Sequence, residues 1–217
     1  MPKQYNTIFF DLDGTLVDSG EGIMKCAQYA LEKLGIHVDD YRTLRPFVGP
    51  PLEDSFKDFY HLDDEHAQLG VQAYRERYYS IGIYEQVLYP GVVEFLEELH
   101  RRGYRLAIAT SKLQRMAKIV TEEVFDLAGH FDNIFGRDDE CTLHTKADVI
   151  NHGLKTTGIT DRSRVLMIGD RKFDINGAKE CHLTSVGVLF GYGDRPEFEA
   201  AGADYICSSY DEILDIL

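Results

Sequence analysis

The sequence predicts a doubly wound α/β fold, a parallel sheet flanked by helices, with an all-helical domain inserted after the first strand. Three observations carry this prediction. Short, continuously apolar runs recur along the chain and end in turn residues, as strands buried on both faces of a parallel sheet do. Apolar residues at helical spacing lie between those runs. One long stretch, 18–86, has helical patterns and no convincing strand.

The first run is Thr7-Ile8-Phe9-Phe10, which leads straight into Asp11. The insertion follows, with helical patterns over Ile23–Leu34, Leu52–Tyr60 and Ala67–Tyr79. Pro50-Pro51 opens the middle one; proline is tolerated in a first helical turn because the N–H it lacks would be unpaired there. Tyr89-Pro90-Gly91 punctuates the return, Val92, Phe95, Leu96 and Leu99 then share one helical face, and Gly103 closes that helix. Arg105–Thr110 repeats the form of the first strand, and Val165–Gly169 repeats it again. Val149, Ile150 and Leu154 mark a helix between them. Thr184–Leu189 and Asp204–Cys207 are two further strands, and Ile213, Leu214 and Leu217 a closing helix. Strand–helix alternation of this kind implies a Rossmann-like core of residues 1–17 and 87–217, with ligands bound at the carboxyl ends of the strands. The all-α cap, 18–86, is large enough to form a lid over those ends.

A chain of 217 residues can hold one such core and one modest insertion. With 44% hydrophobic residues, 13 Tyr and 12 Phe, it is not composed like a disordered chain. The formal net charge of −14 repels nucleic acid and anionic lipid, so neither a nucleic-acid polymer nor a membrane is an expected partner. No apolar run approaches the ~20 residues of a membrane helix. Thr7–Phe10 is too short, and too soon followed by acid, to be the core of a signal peptide, so a cytoplasmic location is expected. Cys26, Cys141, Cys181 and Cys207 are widely spaced with no CxxC pair, and are expected as reduced thiols with no zinc site or disulfide framework.

Four positions can carry chemistry. Asp11 and Asp13 lie two residues apart at the end of the first strand, just before Gly14, and can aim at one small volume. A calcium loop is excluded, because Thr15-Leu16-Val17 follows Gly14 where further oxygen ligands are required. Thr110, with Ser111 and Lys112, follows the strand Leu106–Ala109; a hydroxyl and free N–H groups there suit phosphate oxygens, or simply a helix cap. Lys146 opens a helix, where a cation is disfavoured by the macrodipole, which hints at an anionic partner. Asp170 and Asp174 are four apart after the strand Val165–Ile168, so a helix beginning there puts both on one side. Such paired charges repel unless a cation is present, and Mg²⁺ is the natural one, being hard and oxygen-seeking. A polar turn, a cap, a solvated lysine and an acidic helix start explain each position singly. The combination is less easily explained: three strands end in polar residues at one sheet edge, with Lys146 between two of them.

Asp11-Leu12-Asp13-Gly14-Thr15, Ala109-Thr110-Ser111-Lys112, Lys146 in Thr145-Lys146-Ala147-Asp148, and Gly169-Asp170 through Asp174 occur in the order of the haloacid dehalogenase superfamily, and the chain resembles that family over essentially its whole length. Its helical insertion, together with Phe47-Val48-Gly49-Pro50-Pro51, Gly82-Ile83-Tyr84 and Ser185–Gly193, is similar to the capped subgroup of phosphoglycolate phosphatases and of relatives known as 5′-nucleotidases. The resemblance implies an Mg²⁺-dependent phosphatase of small phosphate esters. Asp11 would be the nucleophile and Asp13 the acid and base. Thr110, Ser111 and Lys146 would bind phosphate, and the metal would sit on Asp11, the Asp13 carbonyl and Asp170. Asp174 would orient Lys146 or metal-bound water. Asp13 separates this chain from true dehalogenases, whose halide leaves without a proton. Specificity should rest in the cap, with Arg42, Arg45 and Lys57 as candidate readers of a second anionic group and Arg45 preferred. Phosphoglycolate, a nucleoside monophosphate, and the substrate of a sugar-phosphate mutase of the β-phosphoglucomutase type are the alternatives. Oligomeric state is not legible.

Overall fold

Six strands pair in parallel in the computed structural model, which describes residues 4–138 and 142–217. In chain order the elements begin with β1 (Thr7–Phe10) and the two-residue β2 (Val17–Asp18). They continue through α1 (Gly20–Lys33), α2 (Leu52–Tyr60) and α3 (Asp64–Ser80) to β3 (Val87–Leu88) and α4 (Val92–Arg101). Next come β4 (Arg105–Leu113), α5 (Gln114–Lys118), β5 (Asn133–Arg137), α6 (Lys146–Thr157), β6 (Val165–Gly169) and α7 (Lys172–Glu180). β7 (Thr184–Val188), α8 (Arg195–Ala201), β8 (Tyr205–Cys207) and α9 (Tyr210–Asp215) complete the chain. The backbone divides into two units, Met1–Val17 with Leu88–Leu217, and Asp18–Val87.

The larger unit holds the sheet, in the order β5-β4-β1-β6-β7-β8. From β1 the chain builds outward on one side through β4 and β5, then returns to build outward on the other through β6, β7 and β8. This doubly wound order reverses at β1, where the ligand crevice of such sheets opens. All four residues of β1 are buried, because both its faces are covered. Phe9 packs with Phe135 at 6.2 Å in a core cluster that includes Ala147, Ile150 and Leu154 of α6 and Ala178 of α7. Phe10 points the other way and meets Phe95 of α4 edge-on at 6.0 Å. The alternation follows from the two-residue period of a strand.

The smaller unit is helical. Cys26, Ala27, Ala30 and Leu31 of α1 are buried, as are Phe56 of α2 and Ala67 and Tyr74 of α3. Phe47 sits edge-on to Phe56 at 5.1 Å, and Tyr74 stacks on Tyr78 at 5.5 Å. The returning segment is tied down through Glu85, which Arg77 holds at 2.7 Å and Lys25 at 3.1 Å.

Several boundaries differ from those the sequence predicts. β5 carries no predicted strand; it is an edge strand whose ends, Asn133 and Arg137, break the apolar run. β4 continues to Leu113, past the polar Ser111 and Lys112, and a register irregularity between Ala109 and Leu113 accompanies that extension. Thr110–Lys112 therefore lie on a strand and not in a strand-to-helix turn. α7 starts at Lys172, so Asp170 precedes the helix and is not part of it. Leu217 lies beyond the end of α9. Cys26, Cys181 and Cys207 are buried free thiols, and Cys141 lies outside the described residues. No helix among the described residues is long and apolar enough to cross a membrane.

Candidate active site

Sheet register builds the site. Phe10 pairs with Ile108 of β4 and with Ile168 of β6, so the residues that follow these paired positions emerge at the same edge. Asp11 is thereby placed between the Thr110 and Asp170 segments, and its N–H donates to Ile168 O at 2.8 Å. The Leu12 N–H returns to the Asp11 carboxylate at 2.8 Å. Gly14 then takes φ 81°, a left-handed turn, and a methyl group there would also run into the Asp170 carboxylate. Both requirements single out glycine. Gly169 is needed for a related reason: a Cβ would overlap the Asp174 carboxyl group.

Lys146 is the centre of the arrangement. Its helix is capped by Thr145, whose hydroxyl accepts from Asp148 N–H at 3.1 Å while Asp148 accepts from Thr145 N–H at 2.8 Å. With the helix start satisfied by this capping box, the lysine side chain is free to extend away from it. Its Nζ lies 2.9 Å from Asp11 Oδ1 and 2.8 Å from Asp174 Oδ1, and donates to Ala109 O at 3.1 Å. Burial works against its charge, but the Asp11 and Asp174 carboxylates outweigh burial and hold its pKa above the usual lysine value.

Asp11, Asp170 and Asp174 bring carboxylate oxygens to within 4.8 Å of one another. Asp174 also accepts from Arg171 N–H at 3.1 Å, and Asp170 from Tyr192 N–H at 2.9 Å. Burial pushes the Asp11 carboxyl up to about 6, Lys146 pulls against that rise, and Asp174 adds to it. Burial, reinforced by the charges of Asp174 and Asp11, likewise raises Asp170 well above the usual carboxylate range. Three buried carboxyl groups face one ammonium, so ionising all three would leave excess negative charge. A compact, all-oxygen donor set in that state fits a hard divalent cation.

The remaining positions are distributed as follows. Asp13 is not in the carboxylate cluster through its side chain; both its oxygens lie 2.7 Å from Lys112 Nζ. Thr110 is buried and its hydroxyl accepts from Lys112 N–H at 3.2 Å, whereas Ser111 is exposed. Arg45 is exposed on the 3₁₀ turn Tyr41–Phe47 of the smaller unit. Two other candidate readers are held by local acids, Arg42 by Asp40 at 3.1 Å and Lys57 by Glu53 at 2.7 Å and Asp64 at 2.8 Å. The Tyr192 N–H and the Lys112 side chain are contributors the sequence reading did not assign. Lys112 had a visible signal, a cation directly after a strand-end hydroxyl pair; Tyr192 acts through its backbone and had none.

Known proteins match this chain throughout. Residues 8–188 match the haloacid dehalogenase-like hydrolase family. A 5′-nucleotidase from Pseudomonas aeruginosa is 37% identical over 214 residues, covering 99% of this chain and 96% of that protein. A phosphoglycolate phosphatase from Vibrio parahaemolyticus is 28% identical and covers 97% of this chain and 95% of that protein. The crystal structure of a haloacid dehalogenase-like family hydrolase from Streptococcus pneumoniae superposes with a TM-score of 0.89 at 37% identity, over 98% of both chains. With the doubly wound core and the carboxylate cluster at the reversal of its strand order, these matches establish that the chain belongs to the haloacid dehalogenase-like hydrolases, as one of the phosphatases of that family.

Proposed function

We propose that this phosphatase hydrolyses a small phosphomonoester by way of an aspartyl phosphate on Asp11. The observation that carries this reading is the Lys146 ammonium, which lies within 2.9 Å of Asp11 and 2.8 Å of Asp174 at the rim of the sheet. A cation fixed beside a buried carboxylate is what a phosphate dianion needs if that carboxylate is to attack it. In this reading Asp11 attacks phosphorus in line, and Lys146, Thr110 and Ser111 take the non-bridging oxygens. Asp13 protonates the departing alkoxide, then accepts a proton from the water that hydrolyses the acyl phosphate. Asp174 keeps Lys146 aimed. The Asp11 and Asp170 carboxylates and the Asp13 carbonyl would hold Mg²⁺, which when bound supplies positive charge against the mutual repulsion of carboxylate and phosphate. A lid role for the helical cap, residues 18–86, with Arg45 as reader of a second anionic group on the substrate, belongs to the same proposal.

Phosphoglycolate is the leading substrate. A nucleoside monophosphate is the second reading, favoured by the greater identity to the 5′-nucleotidase, 37% against 28% for the phosphoglycolate phosphatase. Phosphate release should be measured with Mg²⁺ from phosphoglycolate, nucleoside monophosphates, hexose phosphates and an aryl phosphate, with a chelator as control. Release that the chelator abolishes is expected, and the ranking of kcat/KM chooses the substrate. Folded protein that releases phosphate from none of these esters would overturn the reading.

Mg²⁺ is also expected to raise the midpoint of thermal unfolding, and to do so more at high pH. Asp11 is held at about 6 in the folded chain against the usual 3.8, mainly by burial. The folded protein therefore binds protons more tightly than the unfolded chain, and stability without metal falls as pH rises from about 4 through about 6. A cation must displace those protons, so its stabilising effect should be larger at about pH 8 than at about pH 5. Midpoints recorded with Mg²⁺ and with chelator at both pH values test this, and equal shifts at the two would count against the buried carboxylates as the cation site.

A further inference from the structure

We infer that Lys112 is the residue that positions Asp13 for proton transfer, an assignment that rests on the role proposed for Asp13 above. The two side chains come from positions 99 residues apart, and Lys112 Nζ lies 2.7 Å from each oxygen of the Asp13 carboxylate. An ammonium centred on both oxygens fixes the plane of the carboxylate as well as its place. An ionised carboxylate has roughly four lone-pair directions, so about two remain for a reacting oxygen.

Asp13 needs such an anchor more than its neighbours do. Its side chain is 22% exposed, whereas that of Lys112 is 8% exposed. The lysine is the better-buried partner, and the carboxylate is the one left to turn about two torsions in partly wet surroundings. Lys112 is set in place by the extension of β4 to Leu113 and by its own N–H on Thr110 Oγ1 at 3.2 Å. The segment that carries the proposed phosphate-binding hydroxyl thus also carries the residue that aims the proton donor. Loss of aim matters because a misplacement of about 1 Å can cost roughly a hundredfold in rate.

Two other roles for Lys112 predict different results. A direct contact to the substrate phosphate would weaken turnover of every ester alike. A purely structural role would lower stability without sorting substrates. Positioning of Asp13 sorts substrates by leaving group, because an alkoxide must be protonated as it leaves and a nitrophenolate need not be.

The test measures kcat and KM on an alkyl phosphate and on p-nitrophenyl phosphate. Wild type is compared with Asp13→Asn, Lys112→Met, Lys112→Arg and the Asp13→Asn/Lys112→Met double variant, with folding followed by circular dichroism. Lys112→Met is expected to lower kcat/KM, which reports the leaving-group step, by about 100-fold on the alkyl ester and by less than about fivefold on the aryl ester, while hydrolysis of the shared acyl phosphate, which also uses Asp13, slows on both. Lys112→Arg, whose guanidinium can also engage both carboxylate oxygens, should recover most of the alkyl activity. The double variant should lose little beyond Asp13→Asn alone. If Lys112→Met does not fold, Lys112→Gln is read in the same way. Equal losses of kcat/KM on the two esters, or a full second loss in the double variant, would overturn the assignment. If Asp13→Asn itself fails to distinguish the esters, the role of Asp13 falls and this inference with it. If Asp13→Asn distinguishes them and Lys112→Met does not, Lys112 alone is misassigned.

Discussion

Asp11→Asn is expected to reduce phosphate release by ~10⁴-fold or more while leaving the protein as stable as wild type or more so, the loss being of the size seen when a catalytic nucleophile is removed. The two effects have one cause. Asp11 is a buried carboxylate whose proton affinity is raised to about 6, chiefly by burial and then by the charge of Asp174. Holding it ionised therefore costs folding free energy, and a neutral amide of the same shape removes that cost. Much of the local hydrogen bonding survives, because the amide oxygen can still accept from Leu12 N–H, now at 2.8 Å, and from Lys146, now at 2.9 Å. The amide is not a nucleophile toward phosphorus, so the covalent route closes. Phosphate release and the thermal midpoint, measured on the same preparation, separate the effects. Release within tenfold of wild type would mean that another group attacks phosphorus, and the proposed chemistry would have to be rebuilt around it. A lower midpoint would mean that the Asp11 charge stabilises the fold through Lys146 by more than burial costs it.

How far the site can be read from the sequence depends on how local each part is. Asp11, Asp170 and Asp174 were legible because each follows an apolar strand by one to a few residues, and parallel strands in register end at one edge. The pairing of Phe10 with Ile168 makes that edge common to both. Lys146 was legible as an anomaly, a cation at a helix start that the macrodipole disfavours. Its distances to its two carboxylate partners were not legible, because the three groups come from three different parts of the chain. The Lys112–Asp13 pair was hidden for a different reason. It depends on β4 running on through Ser111 and Lys112, and polar residues at the end of an apolar run read as the end of the strand. β5 was missed because an edge strand has less apolar character than a central one. The candidate readers show the opposite error. Lys57 looked available, yet Glu53 four residues earlier on the same helix was a visible partner, and the two lie 2.7 Å apart.

Lys146→Met should have the second largest effect, and it should fall on stability as well as on activity. Lys146 is 5% exposed and stands between two carboxylates that are themselves buried, Asp11 at 9% and Asp174 at 1%. Methionine fills a similar volume but leaves three acids together with no ammonium. Removing one partner of a buried ion pair typically costs about 3–5 kcal/mol, most of it from the charge left behind. The surviving acids can escape that cost by taking up protons. The destabilisation should therefore be largest at neutral pH and shrink as pH falls and the carboxylates are neutralised. Asp174→Asn placed on top of Lys146→Met should restore part of the lost stability, because it removes one of the unpaired charges, and none of the activity. Activity in Lys146→Met should drop by roughly 10³-fold, comparable to loss of one fixed donor from a transition-state site, and the double variant should stay as low. Thermal midpoints at two pH values and phosphate release for the single and double variants provide the check. A Lys146→Met protein as stable as wild type at neutral pH would show that the carboxylates do not depend on Lys146 for their charge balance. Turnover regained in the double variant would show that Lys146 serves Asp174 alone and does not touch the phosphate.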